Sequence, residues 1–192
     1  LRARFGDTVA AATIRIEADR PSTGRIMQTS PFLGVDIAAH EHAEAFAALL
    51  ESADVPARVI RSEADVMWGK LVRLNALACT TSAHDLPLGR VRDTADLRAE
   101  LEACVEEGAA VARAEGAGVH PAEVMAELDE AHASLGSSMQ RDIAAGREPE
   151  LDAIAGAVLR AAARHGIDCP TITHLAARIA VRASVPAPAV TG

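Results

Sequence analysis

Apolar and polar positions alternate along residues 8–18, TVAAATIRIEA, and β-branched residues gather towards the end of the run, which predicts a strand. Pro21–Gly24, PSTG, is turn chemistry, so RIMQTS (25–30) is expected to pair back on the first strand. FLGVDIA, from Phe32 to Ala38, predicts a third strand. EHAEAFAALLESA then places Ala43, Phe46, Ala47 and Leu50 at helical spacing, and ARVIRS after Val55-Pro56 predicts a short strand. Strand, helix, strand in this order is how an α/β sheet domain ends.

From Ser62 the period changes to that of helices. Ser62 and Asp65 mark a helix start, and the helix runs through Trp68, Leu71, Leu74 and Ala78. Thr94 is the expected cap of a long helix with Leu97, Leu101, Cys104 and Val105 on one stripe. Pro121 and Pro149 open two further helices, and the second ends at His165-Gly166. PTITHLAARIAVRAS predicts the last helix. No strand pattern follows Arg61. The expected layout is a sheet unit over residues 1–62, a helical domain over 63–185 and a disordered tail over 186–192.

Composition narrows the function classes. Of 192 residues, 49% are apolar and only 2% aromatic, with one Trp and no Tyr, so the core is expected to be close-packed helices rich in Ala. A net charge of −8 argues against a nucleic-acid partner. Cys79, Cys104 and Cys169 are odd in number and lack metal-type spacing, which suggests the reducing cytosol and no disulfide framework. No apolar run approaches the roughly 20 residues that span a bilayer. The opening LRARFGD has neither an initiator Met nor a signal-peptide pattern and is expected to belong to a longer protein.

Candidate chemistry is sparse. His40, Glu41 and His42 point to different faces of a helix, and the other histidines are scattered, so no metal site is predicted. Gly116–Gly118 follows a helix and lacks the third glycine of a dinucleotide loop. Lys70 stands in the apolar stretch MWGKLVRLNALACTTSA; it either snorkels at a helix edge or, partly desolvated, serves as a proton donor. Asn75 follows at i+5. In SSMQRDIAAGREPELD (137–152), Ser138 and Asp142 share a helix face, Gly146 lets the chain turn, and Glu150 sits in the first turn of the next helix. Helix capping explains each residue singly, and the local pattern leaves an active-site role equally open.

Trp68, Lys70 and Leu71, then Ser138, Met139, Asp142, Gly146, Arg147, Glu150, Asp152, Ile154, Gly156, His165, Gly166 and Pro170, fall in the order and register of one family's motifs. Together they resemble the C-terminal half of ketopantoate reductases (2-dehydropantoate 2-reductases). The resemblance implies an α/β remnant of a dinucleotide-binding domain, its last strands and one helix, followed by an all-α helical C-terminal domain. It implies reduction of 2-dehydropantoate to pantoate with NADPH, on the route to pantothenate and coenzyme A, in the cytoplasm. Lys70 would polarise the ketone and protonate the alkoxide, and Glu150 would hold Lys70 and contact substrate. Ser138 would bind the carboxylate end, Asn75 would be a substrate-contacting asparagine, and Asp142 would support the segment. A homodimer through the helical domain is the implied assembly to test, with no nucleic-acid or membrane partner.

Three positions depart from the family pattern. Leu74 stands at the usual first Asn, so that Asn75 fits only with a one-residue shift; Cys79 then occupies the second Asn position, and Pro149 replaces a Thr. Cys79 cannot reproduce an asparagine's hydrogen bonds, which widens the substrate to a related 2-keto acid. Pro149 would put Glu150 under the helix dipole in its ionised form. The sequence carries no strand–Gly-x-Gly-x-x-Gly–helix element, so the cofactor-binding residues are unknown and the chain by itself is expected to be inactive. The alternative reading is a non-catalytic helical dimerisation or binding module derived from that family.

Overall fold

The computed structural model describes residues 2–189; the end of the expected tail, residues 190–192, lies outside the described residues. The chain forms two compact units, residues 1–70 and 71–192.

The first unit contains α1 (Arg2–Phe5), a 3-10 turn (Gly6–Thr8), β1 (Ala12–Ser22), β2 (Arg25–Ala38), α2 (Ala43–Glu51), β3 (Ala57–Ile60) and the first turns of α3 (Glu63–His84). The strands form one sheet in the order β1-β2-β3, with β1 antiparallel and β3 parallel to β2. The turn predicted at Pro21–Gly24 tightens to Thr23-Gly24, because Ser22 pairs with Arg25, and Gly24 takes the positive φ of 78° that this requires. The two strands expected at 25–30 and 32–38 are a single strand. Register slips between the pairs Ile16–Leu33 and Ala18–Gln28, so residues 29–32 stand opposite Glu17 alone. Pro31 falls within this bulge, where its missing N–H interrupts no regular ladder.

Ile37, Ala43 and Ala47 form the core of this unit, with Val35, Leu50, Ala57 and Val59 packed around them. Phe46, expected on the same buried stripe, is 48% exposed at its margin. Asp36 joins the three strands, accepting Arg58 Nε and Nη2 at 2.8 Å and facing Arg15 Nε at 3.4 Å. Ser62 caps α3 as its sequence predicts: Asp65 N donates to Ser62 Oγ at 3.1 Å, and that hydroxyl donates to Asp65 Oδ2 at 2.8 Å.

The second unit is helical: the rest of α3, α4 (Leu88–Asp93), α5 (Ala95–Ala114), α6 (Pro121–Glu130), α7 (Ser138–Ala144), a π turn (Asp152–Gly156), α8 (Ala157–His165) and α9 (Pro170–Ala183). No strand follows β3 among the described residues. Helix α5 touches α4, α6, α8 and α9, and its Leu101, Cys104, Val105, Ala109, Val111 and Ala112 are fully buried. Small residues set the spacing, as where Gly108 lies against Val72.

Thr94 does precede α5, but its side chain makes no cap; the hydroxyl donates instead to Arg90 O at 2.9 Å. The unforeseen α4 ends there, and its last carbonyls take the nearby donor. Arg92 Nη1 donates to the carbonyls of Leu128, Asp129 and Ala131 at the end of α6. Glu107 accepts Thr171 N and Ile172 N at 2.8 and 2.9 Å, capping α9 from α5. Gly166, at φ 64°, ends α8 as predicted.

The first turn of α4 also secures the chain ahead of α7. Leu88 N donates to Leu135 O and Gly89 N to Ala133 O, at 2.8 and 2.9 Å. A Cβ on Gly89 would stand 2.7 Å from Ala133 Cβ and 2.8 Å from its carbonyl oxygen. Gly89→Ala is therefore expected to destabilise the second unit by about 1–3 kcal/mol despite alanine's better helix propensity, measurable by urea unfolding. Unchanged stability would show that this approach is not tight.

Cys79, Cys104 and Cys169 are free and buried. Burial pushes the Cys79 thiol up to about 12 and Cys169 to about 11, and raises Cys104 well above its usual value. All three are thus neutral thiols at neutral pH and poor nucleophiles. Native protein should leave them unmodified by a thiol reagent at neutral pH, and denatured protein should titrate all three; rapid native labelling would contradict this packing.

Candidate functional site

Lys70 closes the first unit, on α3. Its side chain is exposed, as in the first of the two alternatives the sequence offered, and Nζ donates to Ile14 O at 3.2 Å. Lys70 stands one helical turn from the buried Val66 on the same side of α3, and its long side chain carries the ammonium out to solvent. Trp68 is half-buried beside it.

Asn75, on the same helix, is fully buried. Its Nδ2 donates to Cys104 Sγ and its Oδ1 accepts from Cys79 Sγ, both at 3.4 Å. Asn75 and Cys79 thus bond to each other in the core against α5. Asn75, expected as a substrate contact, has its amide enclosed in the core of the second unit.

The segment 137–152 is both a hinge between helices and a display of side chains. Ser137, not Ser138, is the cap of α7: buried, its Oγ accepts Gln140 N at 3.1 Å. The same oxygen meets Thr81 Oγ1 at 3.1 Å and Ser82 Oγ at 3.3 Å, both buried at the end of α3. Arg182 donates to Ser82 O and pairs with Asp85 at 3.0 Å, and Gln140 Nε2 donates to Asp85 Oδ1 at 3.3 Å. A buried hydroxyl cluster therefore pins the start of α7, and Ser138 follows as its first residue, exposed. Sequence reasoning overlooked Ser137, Thr81 and Ser82; the signal was Thr80-Thr81-Ser82 at the end of an apolar helix together with the serine pair.

Asp142 folds the segment on itself. Arg147 donates to Asp142 Oδ1 from Nε and Nη2, at 2.9 and 2.6 Å, and Arg147 N donates to Asp142 O at 2.8 Å. Gly146, at φ 66°, permits this closure. Pro149 and Leu151 are buried, and Glu150 between them is exposed. Glu150 lies just before Leu151 at the helix start, accepting Ile154 N at its carbonyl, and not in the first turn as predicted, because Pro149 packs inward ahead of the helix instead of opening it. Among the described residues the Ser138 hydroxyl and the Glu150 carboxylate have no hydrogen-bond or ion-pair partner. Ser138, Asp142 and Glu150 belong to the second unit and Lys70 to the first.

Among the described residues no group of three or more His, Cys, Asp or Glu is placed to hold a metal ion, and no helix is long and apolar enough to cross a membrane. The fold is that of the end of a dinucleotide-binding α/β domain followed by an all-α C-terminal domain. Residues 64–183 match the family described as ketopantoate reductase PanE/ApbA C terminal, and the chain belongs to the ketopantoate reductase family.

Two relatives named 2-dehydropantoate 2-reductase agree. That of Caulobacter vibrioides is 32% identical over 171 residues, 85% of this chain and 57% of its own. That of Halobacterium salinarum is 31% identical over 132 residues, 68% of this chain and 44% of its own. The chain thus spans about half the length of the curated relatives it matches. A PanE/ApbA family ketopantoate reductase from Ralstonia eutropha superimposes with a TM-score of 0.80 at 25% identity, over 91% of this chain and 59% of that one. The same fold recurs in D-mandelate dehydrogenase solved with NADH, at TM-score 0.83 and 18% identity over 93% of this chain and 64% of that one.

Proposed function

We propose that this chain is the substrate-binding helical domain, with the end of the nucleotide-binding domain, of an NADPH-dependent reductase. Its substrate is 2-dehydropantoate or a related 2-keto acid, the product is the 2-hydroxy acid, and the pathway is that to pantothenate and coenzyme A. The observation that carries this reading is the family match over residues 64–183; Lys70, Ser138 and Glu150, to which the sequence resemblance points, are exposed.

The described residues include no strand–glycine loop–helix to cradle a dinucleotide's pyrophosphate, so this chain's own residues do not make that part of the cofactor site. The hydride for the carbonyl carbon would come from a bound reduced nicotinamide. Lys70 hydrogen-bonds the ketone oxygen and passes its ammonium proton to the alkoxide as the C–H bond forms, leaving a neutral amine that regains a proton from water. The Glu150 carboxylate stabilises the ammonium form of Lys70, and the Ser138 hydroxyl donates to the substrate carboxylate. Asn75 supports α3 from within the core.

The test is to purify the full gene product and follow NADPH oxidation with 2-dehydropantoate and a series of 2-keto acids. Keto-acid-dependent oxidation with formation of the 2-hydroxy acid is expected; a folded protein that oxidises NADPH with none of them would overturn the reading. The burial of Asn75 against Cys79 favours a second reading, a non-catalytic dimerisation or binding module. That reading predicts self-association in sedimentation without any turnover. A homodimer with turnover supports the reductase.

A further inference from the structure

Glu150 is followed almost at once by an irregular turn. Asp152–Gly156 form a π turn between Leu151 and α8, in which each hydrogen-bonded ring encloses one residue more than in an α-helix. Inserting one residue rotates the N-terminal side of a helix by about 100° relative to the C-terminal side, since 3.6 residues complete a helical turn. The azimuth of α8 is set by Val158, Leu159, Ala161 and Ala162, which are buried. The π turn therefore decides in which direction Glu150 leaves the second unit.

A specific contact spans that turn. Arg160, on α8, reaches back to Asp152: Nη1 lies 2.7 Å from Oδ1, and Nη2 lies 3.0 Å from the Asp152 carbonyl oxygen and 3.3 Å from Oδ2. The fork closes over Gly156. A Cβ at Gly156 would stand 2.6 Å from Asp152 Oδ1, 2.9 Å from Arg160 Nη1 and 3.1 Å from Pro188 Cβ. A methyl group there would displace the two side-chain ends and part the pair. The Asp152 side chain is largely exposed, so the contact acts more by geometry than by its contribution to global stability.

We infer that Arg160 and Gly156 are positioning residues for Glu150: the Asp152–Arg160 clamp, closed over Gly156, holds the π turn and with it the direction of the Glu150 carboxylate. This rests on the reading of Glu150 as the partner of Lys70. In the full gene product Arg160→Met and Gly156→Ala should each lower kcat by about ten- to a hundredfold, the scale of a small misplacement of a catalytic group. Arg160→Met should add about twofold or less in a Glu150→Gln background, because the residue it positions is already lost.

An equal loss in both backgrounds would mean the clamp does not act through Glu150, and the inference fails. The crystal structure of Arg160→Met decides the geometry independently of activity. Helical hydrogen bonding that reverts to the α pattern through 152–157, with Glu150 turned away, supports the clamp; an unchanged π turn overturns it. If Glu150→Gln alone leaves kcat unaltered, the role of Glu150 is wrong, while the crystal structure still decides what holds the turn.

Discussion

Lys70→Ala in the full gene product should lower kcat for keto-acid reduction by about 10²- to 10⁴-fold, the usual contribution of a positioned general acid. The substitution removes little else. Lys70 is exposed, and its ammonium donates a hydrogen bond to the Ile14 carbonyl on β1, a backbone group that water can satisfy. Urea unfolding of the variant should therefore match the parent within about 0.5 kcal/mol, as for other surface substitutions. Lys70→Arg separates charge from proton transfer: guanidinium keeps the charge but does not give up its proton at neutral pH, so kcat should stay low while substrate binding survives. Wild-type turnover in Lys70→Ala would remove Lys70 from the mechanism.

Ser137→Ala is the substitution expected to harm the second unit most, by about 2–4 kcal/mol. Losing the cap on Gln140 N costs about 1 kcal/mol. The larger part comes from Ser82, fully buried, whose hydroxyl bonds Ser137 Oγ and would be left unsatisfied, at about 1–3 kcal/mol. Thr81 is less affected because it also donates to Leu77 O at 2.7 Å. Since α7 begins at Ser138, the same change should raise the KM for a 2-keto acid more than it lowers kcat. A stability loss below about 0.5 kcal/mol in urea would show that the hydroxyl cluster does not hold this end of the helix.

Much of this was legible in the sequence, for identifiable reasons. Helix starts at Ser62 and Pro121 and the stop at Gly166 rest on local backbone chemistry, and the structure reproduces them. The buried stripe of α5 rests on a long run of one period. The failures lie where tertiary contacts override local signals. Residues 25–30 and 32–38 read as two strands, but the sheet joins them through a bulge against Glu17. Thr94 reads as a cap, but α4 ends close enough to take its hydroxyl. Ser138 and Glu150 were singled out through motif spacing, which carries register but not direction. It could not reveal that Asn75 turns inward to two thiols, or that a π turn follows Glu150. Those depend on packing against α5 and on a contact from Arg160, eight residues beyond Asp152.

The half-buried Trp68 has a practical value. The chain contains one Trp and no Tyr, and that indole lies two residues from Lys70 in the first unit, whereas most helical residues lie in the second. Intrinsic fluorescence of the chain is therefore an unlabelled optical reporter of residues 1–70, and far-ultraviolet ellipticity chiefly a reporter of residues 71–192. Two spectroscopic signals recorded on one sample can tell whether the halves melt as a single cooperative block or in succession.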